Sequence, residues 1–317
     1  MKPNSKTILL GFMLFSAMFV LTPLAWSETT IQLNQNEHTL FLSQNEQPLM
    51  QYRFKNVPYK PYLKTLYTPN GLNVTRDQLG QMHDHPHHHG FFFAISVNGI
   101  SFWTENEESG KQIHQKFTKI QTTQTDTQLT ARFTEELVWQ GPDQTRLLDE
   151  TRTLSYRQPS NDQFTMLKWR SVLQCPEQHD SVIISGAHYY GLGTRFIKEM
   201  DEIGDFINSD RAEGSLFRGE EYLYEADWCA YRSQRPQPVT VVFFDSQRNA
   251  HPATWFTMAT PYAFLSATLR YHENEYRITP NQPLDLQYTV VLFDGILSRE
   301  EINQFHKQKM IHSAAAK

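Results

Sequence analysis

Five of the chain's thirteen histidines fall within one short run, His83-Asp84-His85-Pro86-His87-His88-His89-Gly90. Imidazole titrates near neutral pH and also ligates transition metals, so this crowding beside a carboxylate points to proton transfer or metal ligation. Neither His-Glu-x-x-His nor paired Cys-x-x-Cys is present. A divalent metal on His85, His87 and His88, with Asp84 as ligand or supporting partner, therefore rests on composition alone. The plainer alternative is a polar loop of mutually hydrogen-bonded imidazoles with no chemistry. Pro86 cannot donate to a sheet ladder and pushes His85 toward extended backbone, so the run is expected in a loop or at a strand edge. If it is extended, His83, His85, His87 and His89 share one side, and Asp84 and His88 the other. Gly90 permits a sharp turn into apolar Phe91-Phe92-Phe93-Ala94, leaving polar groups just outside a buried strand, where site residues commonly sit.

The elements that must hold this loop are strands, because the dominant hydrophobic period is two. Leu129, Ala131, Phe133, Leu137 and Trp139 share one parity, as do Leu284, Leu286, Tyr288, Val290 and Leu292, which describes half-buried strands. Further strands are expected at 38–42, 48–54, 62–68, 92–97, 113–122, 147–156, 164–173, 239–245 and 263–271. Turn-rich pieces such as Pro69-Asn70-Gly71, Gly141-Pro142-Asp143 and Pro159-Ser160-Asn161-Asp162 separate them. Many short strands with few helical patterns predict an all-β fold, a large antiparallel β-sandwich. Only Ser298-Arg299-Glu300-Glu301, a capping-box pattern running into Ile302 and Phe305, predicts a helix. With no repeat or domain-scale linker, residues 28–317 are expected to form one domain.

Lys2 and Lys6, the apolar run from Ile8 to Leu21 and the small residues Ala25 and Ser27 have the layout of a signal peptide cleaved after Ser27. The run is shorter than the roughly 20 residues that span a bilayer, and no cysteine near Ser27 offers a lipid anchor. The expected location is the periplasm or the medium. The chain carries 29 basic against 34 acidic residues, which makes nucleic acid a poor partner. Cys175 and Cys229 are the only cysteines. A disulfide is allowed outside the cell, and two separately buried thiols are the alternative.

The run from Lys60 through Tyr62, Tyr67 and Arg76 to the histidine segment, followed by Val97-Asn98-Gly99-Ile100-Ser101-Phe102-Trp103, resembles the hallmark of a family of exported bacterial β proteins. That family often carries the automatic label "methane oxygenase PmoA". Asp227-Trp228-Cys229-Ala230-Tyr231, the strand from Val239 to Asp245, Asn249-Ala250-His251-Pro252-Ala253-Thr254-Trp255 and Leu292-Phe293-Asp294-Gly295 extend the likeness, which spans roughly Tyr52 to Gly295. The family's motif reads Asp-His-Pro-His-His-Arg-Gly, so His89 stands where arginine is usual. If that arginine neutralises an anionic substrate, specificity here differs. The label does not describe an activity, since a membrane monooxygenase subunit needs several spanning helices and no stretch after Ser27 is long and apolar enough. The resemblance implies an exported sandwich similar to the supersandwich proteins of carbohydrate metabolism, an analogy of fold rather than of function.

Carbohydrate is therefore the expected substrate. Trp103, Trp228 and Trp255, with Tyr189, Tyr190 and Tyr231, offer flat apolar faces for sugar rings, although most aromatic residues of a β protein belong to its core. His251 lies in a Pro-flanked loop before Trp255, and His188 precedes Tyr189 and Arg195 on another extended segment. A lyase or epimerase needs a base of near-neutral pKa and a cation for the developing negative charge. His85, His88 or His188 would be the base, Tyr189 the acid, and Arg76 or Arg195 the cation. A hydrolase would use two carboxylates, drawn from Asp84, Glu105, Asp227 and Asp245. Histidine-based proton transfer ranks slightly ahead. A non-catalytic glycan-binding protein and a periplasmic metal-binding protein are the alternatives.

Overall fold

A computed structural model describes residues 29–34, 38–77, 85–161, 163–210 and 214–311. The leader-like segment, His83 and Asp84 lie outside the described residues.

The described residues form three antiparallel sheets, and the all-β expectation holds. The first has ten strands in the order Thr29–Asn34, Thr39–Gln44, Gln47–Arg53, Tyr62–Leu66, Phe91–Ala94, Gly191–Arg195, Phe264–Thr268, Thr254–Met258, Glu221–Glu225 and Ser215–Arg218. The second has eight, in the order Asp205–Asn208, Trp228–Ser233, Val239–Asp245, Leu284–Asp294, Thr165–Gln174, Arg146–Pro159, Gln128–Gln140 and Lys111–Gln124. A small third sheet joins Tyr276–Ile278, Val182–Ser185, Ser96–Val97 and Ile100–Ser101.

The two large sheets bury the alternating side chains that predicted them. Tyr52 packs on Phe133 with ring centroids 4.9 Å apart, Phe91 on Phe243 at 5.7 Å and Phe93 on Trp139 at 5.9 Å. A chain of buried polar groups crosses the same interface. The Arg152 guanidinium donates to both Glu150 oxygens, to Gln112 Oε1 and to the Tyr52 hydroxyl, at 2.8–3.0 Å. Tyr52 donates in turn to Glu135, which also holds His114 at 2.6 Å. Buried charge is tolerated there because every member has a partner.

Several expected strands have different ends. The run expected at 92–97 splits, with Phe91–Ala94 in the ten-stranded sheet and Ser96–Val97 in the small one. The strand expected at 113–122 is Lys111–Gln124, an edge strand interrupted by two register shifts. Its lysines Lys111, Lys116 and Lys119 are of the kind that discourage edge-to-edge pairing. Thr254–Met258 and the hairpin of Ser215–Arg218 and Glu221–Glu225 are not among the expected strands, and Gly191–Arg195 is expected only as an extended segment, yet all belong to the part of the sheet that carries the site.

The capping box is formed: Ser298 accepts from the Glu301 N–H, and the Glu301 carboxylate accepts from the Ser298 N–H. Helix Arg299–Phe305 covers one end of the outer face of the eight-stranded sheet, where Ile302 packs in a cluster with Phe164, Met166, Trp228, Phe244 and Phe293. Among the described residues, no helix is long and apolar enough to cross a membrane. Cys175 and Cys229 are free, buried thiols, one at the end of Thr165–Gln174 and the other within Trp228–Ser233, so the disulfide alternative is not realised.

Candidate functional site

The register of four neighbouring strands builds one wall of a cavity. Phe92 pairs with Gly193, Gly193 with Ser266 and Ser266 with Phe256, while Phe264 pairs with Met258 two residues along. Residues opposite one another point to the same face, so Phe92, Phe256, Met258 and Phe264 share the outer face. Their neighbours Phe91, Phe93 and Trp255 turn into the core. Trp103, delivered by the turn after Ile100–Ser101, closes over this row, 4.8 Å from Phe92 and 4.9 Å from Tyr190 between ring centroids. Gly193 makes that approach possible, because a Cβ there would lie 2.7 Å from the Phe264 ring and 3.2 Å from Trp103.

The histidine loop enters at the same edge. Gly90 has φ +30°, and a Cβ on it would lie 2.0 Å from the Leu63 carbonyl oxygen, so only glycine fits. Its N–H donates to Arg76 O at 2.7 Å and its carbonyl accepts from Arg195 N at 3.1 Å, which fixes the loop between two arginine-bearing segments. The cavity encloses about 230 Å3 and is lined by His85, His87 and His88 with Trp103, Tyr189, Tyr262, Phe256, Arg218 and Glu221.

The imidazoles stack on one another rather than converge. His85 and His88 are nearly parallel, 10° apart with centroids at 4.8 Å, and His87 meets His88 edge-on at 4.5 Å. Among the described residues no group of three histidine, cysteine or acidic side chains is arranged to hold a metal ion. The expected ligand set of His85, His87 and His88 is therefore not formed by those three residues alone. Burial lowers the proton affinity of His87, aided by the charge of Lys60, to a pKa of about 4. Burial drives His88 well below the ordinary imidazole value. Both rings are neutral at physiological pH.

Behind the cavity a charged pair anchors both loops. Lys60 is buried and donates to Glu105 at 2.7 Å and to the Trp103 carbonyl at 3.0 Å. Glu105 also holds His89 at 3.0 Å. Burial works to raise the Glu105 pKa, but the hydrogen bond from His89 and the charge of Lys60 prevail and hold it at about 2. His89 stacks on Tyr62 at 4.7 Å and is 1% exposed. His89 thus meets Glu105 and does not line the cavity.

The remaining expected residues separate into groups. His188 lies at the margin of the cavity, its Nε2 2.8 Å from Glu221 and its ring stacked on Phe217 at 3.7 Å. Burial lowers its pKa, and Glu221 opposes that only in part. Arg195 is 1% exposed and lies 3.5 Å from the centre of the Tyr262 ring. Tyr262 in turn reaches His85 Nε2 at 3.2 Å. Arg76 meets Asp201 at 3.5 Å. Both arginines therefore support the wall rather than line the cavity. Trp228, Tyr231 and Trp255 are fully buried and present no face to a ligand. Trp228 donates to Asn303, and Trp255 donates to Ala226 O. Their aromatic character serves packing, the ordinary fate of large rings in a β protein. His251 is exposed in a separate loop near Tyr276.

Of the four carboxylates considered, Asp84 lies outside the described residues and Glu105 is committed to Lys60 and His89. Asp227 and Asp245 lie at the ends of two inner strands of the other large sheet, where Asp245 binds Asn249 and the Ala253 N–H. Glu221, Arg218 and Tyr262 had not been expected. Arg218 donates to Glu221 at 2.7 Å, and neither carries a sequence signal, because a strand pairing brings them from the edge of the sheet.

The described residues thus define an antiparallel β-sandwich protein with an aromatic-walled cavity lined by three imidazoles. The chain belongs to a Family of unknown function (DUF6807), whose model matches residues 39–307. No curated protein matches. Among solved structures, a GH36 alpha-galactosidase from Geobacillus stearothermophilus is similar at 9% identity and TM-score 0.48, over 84% of this chain and 41% of that one. An alpha-galactosidase from Lactobacillus brevis is similar at 8% identity and TM-score 0.47, over 88% and 42%. A galactose mutarotase-like protein from Clostridium acetobutylicum is similar at 11% identity and TM-score 0.46, over 85% and 98%. The chain spans about two fifths of the length of the galactosidases, and likenesses this distant carry no chemistry across.

Proposed function

We propose that the protein is an exported carbohydrate-active enzyme that acts on one sugar ring or sugar derivative by proton transfer. The observation that carries this reading is the cavity's composition. Three imidazoles, the phenols of Tyr189 and Tyr262 and the Arg218 guanidinium meet around about 230 Å3 of aromatic-walled space. Its volume lies below the ~300–1,000 Å3 of sites for drug-sized ligands, which favours a single ring. Trp103 and Phe256 supply the flat apolar faces that sugar rings stack on.

Removal of a proton next to a carbonyl or carboxylate needs a neutral base and a cation for the developing oxyanion. His87 and His88 are unprotonated at neutral pH, Tyr262 is placed beside His85 to pass or donate a proton, and Arg218 is the cation on the wall. Glycoside hydrolysis asks for two carboxylates across the bond. Among the described residues that line the cavity, Glu221 is the only one. The basic amino-terminal residues and apolar run support export.

A second reading is a glycan-binding protein without turnover, favoured by the weakness of an imidazole base whose pKa is about 4. The two are separated by incubating the full chain with mixed plant and algal oligosaccharides in deuterated water. Solvent deuterium at a sugar carbon, or the ultraviolet absorbance of an unsaturated sugar, is the expected result, and it is lost in H85A/H88A. Binding with neither signal favours the second reading. New reducing ends without unsaturation, unaffected by H85A/H88A, would sink the proton-transfer reading.

A further inference from the structure

The outer face of the eight-stranded sheet is not uniform. At one end Met166, Val291 and Phe293 lie under the carboxy-terminal helix. Farther along the same strands and on the same face stand Lys168 and Arg170, then Gln287 and Asp285. Register extends these into cross-strand rows. Arg132 pairs with Ser155 and Ser155 with Lys168, while Thr153 pairs with Arg170 and Arg170 with Gln287. Asn249, held to the Gln287 backbone by hydrogen bonds of 2.9 and 2.7 Å, brings the neighbouring Arg248 to the rim. Together these residues line a groove of about 440 Å3.

Its charge departs from that of the protein. The chain has a net charge of −5, yet the groove gathers Arg132, Lys168, Arg170 and Arg248 around one carboxylate, Asp285. Asp285 is taken up by Arg170 through two bonds of 2.8 and 2.6 Å. Arg132 and Arg248 are exposed, and no ion pair joins either to another described residue. Strands lie about 4.8 Å apart, so Arg132 and Lys168, two strands apart in one row, are about 10 Å apart at the backbone. The four cations stand on two strands and a rim loop, so a ligand with repeated charges meets several of them at once.

We propose that this groove binds an acidic oligosaccharide, a strand of sugars bearing carboxylate or sulfate groups. The cations match the repeated charges, and Thr153, Ser155 and Gln287 offer hydrogen bonds to hydroxyls. The lining contains no aromatic residue on which a nucleic acid base would stack. It also lacks the apolar anchors that dominate protein interfaces. The assignment is independent of the imidazole cavity, which lies on the other large sheet.

Calorimetric titration of the full chain tests it, with a galacturonate hexamer and a heparin-derived hexasaccharide as acidic probes and a neutral glucose hexamer as control. At least one acidic probe binds, and its affinity falls as salt rises. In R132S/R248S that affinity drops about tenfold, with the melting temperature and any binding of the neutral hexamer unchanged. H85A/H88A binds the acidic probe as the unmodified chain does. Failure of both acidic probes to bind, or unchanged affinity in R132S/R248S, overturns the proposal. Loss of acidic binding in H85A/H88A moves the site to the cavity and overturns it as well. A thymidine hexanucleotide that binds as tightly as the hexuronate overturns the saccharide assignment.

Discussion

His87 and Glu105 depart from their ordinary pKa values in the same direction, with opposite meanings for charge. A histidine with a folded pKa of about 4 resists protonation that the unfolded chain accepts near pH 6.5. Its contribution to stability is complete above about pH 6.5 and is lost as pH falls toward 4, up to about 3 kcal/mol. Glu105, held at about 2, adds stability above its unfolded value, and this is lost as pH falls toward 2. Melting temperature is therefore expected to decline in two stages on acidification, with His87→Gln flattening the first. Lys60 couples the two residues. Lys60→Met leaves Glu105 buried without its cation and costs about 3–5 kcal/mol by chemical denaturation. The same change raises the His87 pKa, read from its imidazole proton resonances. A His87 pKa unchanged in Lys60→Met would show that burial alone sets it.

At the scale of elements, glycine decides where the cavity can exist. Gly193→Ala pushes on the Phe264 and Trp103 rings, so ligand affinity at the cavity is expected to fall more than tenfold while the fold persists. Near-equal affinity would mean that Trp103 does not shape the site. The low β-propensity of Gly191-Leu192-Gly193 also left this strand legible in the sequence only as an extended segment. The carboxy-terminal helix is the opposite case. Its capping box is a local pattern satisfied by residues three apart, so the sequence alone located it. Ser298→Ala removes that cap and is expected to cost about 1 kcal/mol in urea unfolding, weakening the cover over Trp228 and Phe244.

At the scale of the whole molecule, two sheets are joined by apolar rings and by the buried Arg152 network. Arg152→Ala strands Glu150 and Glu135 without their cation at the interface. A loss of about 3–5 kcal/mol is expected, larger than for a surface arginine such as Arg277. Gln112 extends this network to the Phe93 carbonyl at 2.7 Å, on the strand that follows the histidine loop. Loosening the interface is therefore expected to reduce binding at the cavity as well.

The sequence by itself determined the fold class, most long strands, the capped helix and the placing of His85, His87 and His88 at the end of a buried strand. Each of these is written in local periodicity, a proline or glycine constraint, or a short capping pattern. Tertiary structure alone decided which aromatics meet a ligand. Period-two alternation says that Trp103 and Trp255 are apolar positions, but not that one faces a cavity and the other the core. It also decided that His89 meets Glu105, that Arg76 and Arg195 stand behind the wall, and that Glu221 and Arg218 join the site from the sheet's edge. Those contacts depend on strand order and register between segments from 16 to more than a hundred residues apart, which no local pattern encodes.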